Sequence, residues 1–196
     1  MFELLNLSSL VINLLLFSYF SIISVMPISR EEKFGEKAWK QCYWFRMVSN
    51  AAIVIVIVNV FLWIWIPVPK LSWNLNDNPS LGIIVGLVIV IPCSIILYKA
   101  IKDGGKEHVK PLKDTTLHGG IYKIIRHPGV LGEMPWYIAL GFFLNSIFLI
   151  FKLTTFVIIY TPIYIYFEDK DLLKRFGDDF KEYKQKTGAL IPKYKK

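Results

Sequence analysis

Long stretches without a single charge dominate this chain. Residues 4–29, 47–69 and 78–98 contain no Asp, Glu, Lys or Arg. Each run is long enough to cross a hydrocarbon core about 30 Å thick, which takes ~20 apolar residues as a helix. Inside lipid the backbone must satisfy its own hydrogen bonds, so such runs are helices. A fourth apolar region, 134–167, is interrupted only by Lys152. As one helix it would be about 50 Å long at 1.5 Å per residue, too long for a single pass even when tilted. The polar pair Asn145-Ser146 stands near its middle, so the region reads as a hairpin with spans around 131–145 and 149–167. The expected fold class is all-α: a polytopic integral membrane protein of about five transmembrane helices, with a C-terminal-half hairpin and then a cytoplasmic amphipathic helix. Four spans plus a re-entrant pair is the competing geometry.

The charges test that count independently. Residues 30–46 hold five Lys/Arg, residues 99–126 hold seven, and the chain from Lys170 onward holds nine, together 21 of 23. With five spans all three basic segments fall on one side, and the positive-inside rule puts that side in the cytoplasm and the N-terminus outside. The net charge of +8 then needs no nucleic-acid partner, because basic segments beside anionic lipid are expected. Trp63, Trp65 and Trp73 read as an outer interfacial belt, and Trp39 and Trp44 as an inner one. Residues 1–26 lack a basic leading segment and do not read as a signal peptide. The chain reads as one membrane domain, 1–196: three spans and their loops to residue 98, and a second half, 99–196, denser in mixed chemistry.

Within the spans, Gly82 and Gly86 form a Gly-x-x-x-Gly pair that permits close helix contact. Pro92 and Pro162 predict bends. Glu133, expected near the cytoplasmic end of the fourth span, is costly in a membrane and faces protein, water or the interface. Cys42 and Cys93 fit no disulfide, and His108, His118 and His127 lack metal-ligand spacing. No metal is expected, and no P-loop or Gly-x-Gly-x-x-Gly is present.

Two segments outside the spans carry the chemistry. In the first, Gly119-Gly120 permits a tight turn, and Arg126 and His127 precede Pro128, which starts the next helix. In the second, Glu168 and Asp169 leave the last span where lysine would suit an anionic leaflet. Acids in that position call for a cationic ligand. Leu172, Leu173, Phe176, Phe180 and Tyr183 follow with helical spacing on largely one face.

The order Gly120-x-Tyr122-x-x-x-Arg126-His127-Pro128, an apolar hairpin, Glu168-Asp169, Phe176-Gly177-Asp178-x-Phe180-x-x-Tyr183 and Ile191-Pro192 resembles the integral-membrane isoprenylcysteine carboxyl methyltransferase family, and more loosely the phospholipid methyltransferases. The likeness covers roughly residues 100–193. It departs from the family pattern at Val130, where a tyrosine is usual, at the uncharged stretch 164–167, where an arginine is often found, and at Asp169, where glutamate is usual. The resemblance implies a membrane enzyme that uses S-adenosylmethionine on a lipophilic methyl acceptor at the cytoplasmic interface. It implies that Gly120, Tyr122, Arg126, His127 and Pro128 wrap the cofactor's nucleoside and carboxylate end, and that Glu168 with Asp169 holds its ammonium. A carboxylate acceptor needs no base; an amine acceptor does, with His127 or Glu133 as candidates. Arg126 pairs with the cofactor carboxylate or with an acidic acceptor. The alternatives are an NADPH-dependent sterol-type membrane reductase and a non-enzymatic membrane scaffold.

Overall fold

A computed structural model describes residues 1–108, 110–113 and 119–193; His118 and the last three residues lie outside the described residues. Seven helices follow one another: α1 (Phe2–Ser24), α2 (Pro27–Phe34), α3 (Lys37–Leu62), α4 (Ser80–Gly104), α5 (Pro128–Phe143), α6 (Ile147–Phe176) and α7 (Asp178–Lys186). Short 3-10 turns occur at Pro69–Leu71, Gly105–His108 and Gly120–Lys123. The fold is all-α, with no strand among the described residues beyond two isolated bridges. Helices α1, α3, α4 and α6 are long and apolar enough to cross a membrane. Helix α5 has 16 residues, about 24 Å at 1.5 Å per residue, and joins the same two ends of the bundle. The exposed apolar faces, such as Leu4, Ile12 and Leu15 of α1 and Ile84, Val88 and Ile91 of α4, suit lipid rather than water.

Hydrophobic burial drives helices together only weakly in lipid, so small residues and hydrogen bonds decide which pairs meet. Helices α1 and α3 are tied by the Asn6 amide donating to the Asn59 carbonyl (3.0 Å) and the Asn59 amide to Ser9 Oγ (3.0 Å). Ser21 Oγ and the Tyr160 hydroxyl, 2.8 Å apart, tie α1 to α6. Helices α4 and α5 run antiparallel along a glycine seam. Gly82 faces the Phe142 carbonyl, Gly86 the Phe143 ring, and Gly132 the Leu97 backbone. The Gly-x-x-x-Gly pair is thus a packing seam. A Cβ at Gly132 would stand 2.6 Å from the Leu97 nitrogen, so Gly132→Ala must push the helices apart. Overpacking of this kind costs about 1–3 kcal/mol. Thermal unfolding in detergent is expected to fall by several degrees for Gly132→Ala and to stay unchanged for Gly119→Ala, where an added Cβ meets nothing within 4 Å among the described residues.

The hairpin between α5 and α6 turns where Asn145-Ser146 predicted it. Asn145 adopts φ 51°, a left-handed conformation that asparagine tolerates. Its side chain exchanges hydrogen bonds with the Asn76 backbone (2.7 and 3.2 Å), and Ser146 caps α6 by accepting from the Leu149 N–H. The loop before α4 therefore pins the tip of the hairpin.

Several expectations need correction. The second hairpin arm does not end at 167: α6 runs unbroken for 30 residues through Glu168 and Asp169 to Phe176. Gly177, at φ 55°, then ends it and starts α7, so the amphipathic stretch is divided between two helices, with Phe180 buried. The basic segment 30–46 is helical rather than a loop, split at Gly35 (φ 63°) between α2 and an extended α3. Trp63 is buried and stacked on Phe148, with ring centroids 4.9 Å apart, rather than in an interfacial belt.

Candidate functional site

The three basic segments gather at one end of the bundle. Arg46 of α3 donates to the Glu107 carbonyl (2.9 Å), Lys113 pairs with Glu31 of α2 (2.9 Å), and Arg175 of α6 pairs with Glu107 and donates to the Leu112 carbonyl. Asp171, buried on α6, accepts from the N–H groups of Ile28 and Ser29 at the start of α2 (3.2 and 2.7 Å). Beneath this layer lies a cavity of about 350 Å³, lined from α1, α2, α3, α5, α6 and α7 and the turns between α4 and α5. That volume is in the range of small-molecule and cofactor sites.

The polar end of the cavity is built by two segments far apart in sequence. Gly120 (φ 58°) lies against Asp103 of α4, whose carboxylate accepts from the Ile121 N–H (2.8 Å). The chain then runs alongside residues 187–189: the Arg126 N–H donates to the Gly188 carbonyl (2.8 Å) and the His127 N–H to the Ala189 carbonyl (3.1 Å). The Tyr183 hydroxyl of α7 donates to the Tyr122 carbonyl (2.7 Å). Pro128 then begins α5, where its missing N–H costs nothing. This backbone lacing fixes Arg126 and His127 opposite Glu168 and Asp169.

The His127 ring stands between the two acids. Nδ1 is 2.7 Å from Glu168 Oε2 and Nε2 is 2.8 Å from Asp169 Oδ1. Asp169 also meets Arg126 (3.3 Å) and Lys184 (3.0 Å), and Arg126 donates to the Thr187 carbonyl (2.7 Å). Burial works against a charged imidazole, but the Glu168 charge and the hydrogen bonds to Asp169 and Glu168 outweigh it and push the His127 pKa up to about 9. His127 is therefore an imidazolium at neutral pH, a held cation rather than a free base. Burial and the Glu168 charge push the Tyr122 phenol upward too, which keeps it neutral.

The adjacent acids differ in place. Glu168 lines the cavity, with one oxygen on His127 and no other hydrogen bond among the described residues. Asp169 is behind His127, away from the wall, with three cationic partners. Tyr122, Arg126, His127, Pro128 and Glu133 line the cavity; Gly120 does not. Arg126 Nε is buried without a hydrogen-bond partner among the described residues. Farther in, the wall becomes aromatic: Phe17, Tyr160 and Tyr164 line it, with centroids 5.2 Å apart for Phe17 and Tyr160 and 5.6 Å for Tyr160 and Tyr164. Glu133 accepts from the Tyr137 hydroxyl at 2.6 Å.

The sequence reading missed the share of the first half. Ser21 and Ser24 of α1, and Arg46, Ser49 and Asn50 of α3, also line the cavity. The signal for them was a polar residue at helical spacing near the basic end of each otherwise apolar run.

No family model matches the chain, and no solved structure matches it. Among curated proteins, methanethiol S-methyltransferase 1 of Bradyrhizobium diazoefficiens is 36% identical over 88 residues, which are 45% of this chain and 29% of that protein. The matched part spans under a third of the relative's length. The chain is thus a multi-pass helical membrane protein that shares a segment's sequence with a methyltransferase.

Proposed function

We propose that this protein is an S-adenosylmethionine-dependent membrane methyltransferase acting on a lipophilic acceptor, its site at the cytoplasmic end of the bundle. The observation that carries the reading is the cavity itself: one end offers a free carboxylate oxygen beside guanidinium groups, and the other an aromatic wall. S-adenosylmethionine presents an ammonium, a carboxylate, an aromatic base and a sulfonium, and the donor set matches each. Glu168 is suited to the ammonium, and Arg126, with an unpartnered buried Nε, to the carboxylate. Tyr122 and Tyr183, both lining the cavity, suit the nucleoside. Phe17, Tyr160 and Tyr164 suit a sulfonium, since aromatic faces attract cations. The partial likeness to a named methyltransferase supports the same chemistry.

Bound there, the cofactor supplies an activated methyl group. The chain's own residues orient it and exclude water, which is where the protein's contribution to such a transfer lies. The basic residues at that end support a cytoplasmic orientation, with the N-terminus outside. The acceptor comes from the membrane, consistent with lipid-facing helices around the cavity. Calorimetric titration of the protein in detergent or nanodiscs with S-adenosylhomocysteine tests the reading. Saturable one-to-one binding is expected, with no heat from NADPH; binding of NADPH and not of S-adenosylhomocysteine would replace it with the reductase alternative.

A further inference from the structure

Three acids line the cavity, and two of them are answered by a cation: Glu107 by Arg175 and Glu168 by His127. The third, Glu133, forms no ion pair among the described residues, and no charged side chain there acts on it. Its Oε1 accepts from the Tyr137 hydroxyl at 2.6 Å. Its Oε2 has no hydrogen bond among the described residues and is not sealed off. A carboxylate taken out of water and left with one neutral donor is costly, and an arriving cation relieves that cost.

The hairpin sets the depth of Glu133. His127, at the start of α5, meets Glu168 of α6, and the two helices run antiparallel from there. Glu133 is six residues beyond His127, about 9 Å deeper at 1.5 Å per residue. Tyr164 and Tyr160 are four and eight residues before Glu168, about 6 and 12 Å deeper. Glu133 therefore stands at a depth between the two rings, and both tyrosines lie within electrostatic reach of Glu133 and of Glu168. Each side chain leans toward the N-terminus of its own helix, so Glu133 leans toward the polar end and Glu168 leans inward.

Resting on the methyltransferase reading, we infer that Glu133 is the counter-charge to the donor's sulfonium, so that the site tells the donor from its spent form by charge. The donor carries two positive centres on one short chain, an ammonium and a sulfonium four bonds apart, roughly 4–5 Å at ordinary bond lengths. Glu168 takes the first at the polar end, and Glu133 faces the second beside the tyrosine pair. One ligand thus accounts for both carboxylates. Methyl transfer forms a bond from the acceptor to the methyl carbon and breaks the carbon–sulfur bond, whose electron pair stays on sulfur. That sulfur is then a neutral thioether, and Glu133 again lacks a cation. The charge that secures the donor therefore also favours release of the product.

The test titrates the full chain in nanodiscs, without acceptor, against three probes. These are S-adenosylmethionine, S-adenosylhomocysteine and sinefungin, in which a protonated amine replaces the methylated sulfur and no methyl can be transferred. The wild type is expected to bind both cationic probes at least about tenfold more tightly than S-adenosylhomocysteine, the scale of one desolvated charge contact. Glu133→Gln keeps the shape and removes the charge. It is expected to bring all three probes within about threefold of one another, by weakening the cationic two and leaving S-adenosylhomocysteine where it was. Equal weakening of all three would assign Glu133 to the fold, and an unchanged preference with lost turnover would assign it to the acceptor's proton. Either result overturns the inference and leaves the cofactor reading standing. So does a wild type that binds S-adenosylhomocysteine as tightly as the cationic probes, a result that does not depend on the variant folding. Absence of binding of all three by the folded wild type is the separate failure of the cofactor reading.

Discussion

Glu168→Gln is expected to abolish S-adenosylhomocysteine binding and leave the fold intact, while Asp169→Asn, one residue on, is expected to do the reverse. Glu168 lines the cavity and offers one carboxylate oxygen without a hydrogen bond among the described residues. Removing its charge takes away the partner proposed for the ligand's ammonium, a desolvated charge pair worth about 2–5 kcal/mol, or roughly 30-fold to several thousand-fold in affinity. The fold survives because His127 keeps Asp169 at 2.8 Å. Asp169 has the opposite balance. It is buried among His127, Arg126 and Lys184, and without its charge Arg126 loses its carboxylate partner and His127 keeps only Glu168. Breaking a buried pair in this way costs about 3–5 kcal/mol, so Asp169→Asn is expected to melt far below the wild type in detergent. Calorimetry and thermal unfolding on the two variants check the asymmetry. Equal loss of binding with equal melting temperatures would return both acids to a shared ligand-binding role.

That division of labour was not legible in the sequence, where Glu168-Asp169 reads as one acidic pair at the end of a span. On a helix, neighbours point about 100° apart, so two adjacent acids cannot share a face unless the helix ends between them. The end of the apolar run at 167 suggested such an end; instead α6 continues to Phe176, one acid turns to the cavity and the other to Arg126. The hairpin tip was legible because a polar pair in an apolar run has one good explanation, a turn at the membrane boundary. The start of α5 at Pro128 was legible for a similar reason. The roles of Ser24, Ser49 and Asn50 were not, because a single polar residue in an apolar helix looks the same whether it ties two helices, as Asn6 and Asn59 do, or faces a cavity.

The other large effect is a loss of stability in mild alkali that depends on one side chain. The free imidazole of histidine titrates near 6.5, whereas in the fold His127 is pushed up to about 9 despite its burial. The folded state therefore binds the proton more tightly than the unfolded state. The sign follows: the imidazolium's contribution is complete below the unfolded value and is lost as pH rises through the folded one. A shift from 6.5 to about 9 corresponds to about 3 kcal/mol at 1.36 kcal/mol per pH unit. Melting in detergent is therefore expected to decline between pH 6.5 and 9 for the wild type. His127→Gln, which cannot titrate, is expected to start from a lower melting temperature at pH 6.5, because Glu168 and Asp169 then face each other with less compensation. Its curve should run flat over the same interval and meet the wild type near pH 9. A wild-type curve that is flat from pH 6.5 to 9 would mean that the ring is neutral between the acids, which the two short contacts of 2.7 and 2.8 Å argue against, since a neutral imidazole has one N–H to give. Because the same imidazolium occupies Glu168 Oε2, its loss at high pH also leaves that carboxylate with one compensating charge fewer. S-adenosylhomocysteine, whose ammonium would take up the role, is expected to stabilise the protein more at pH 9 than at pH 7 for as long as its amine stays protonated.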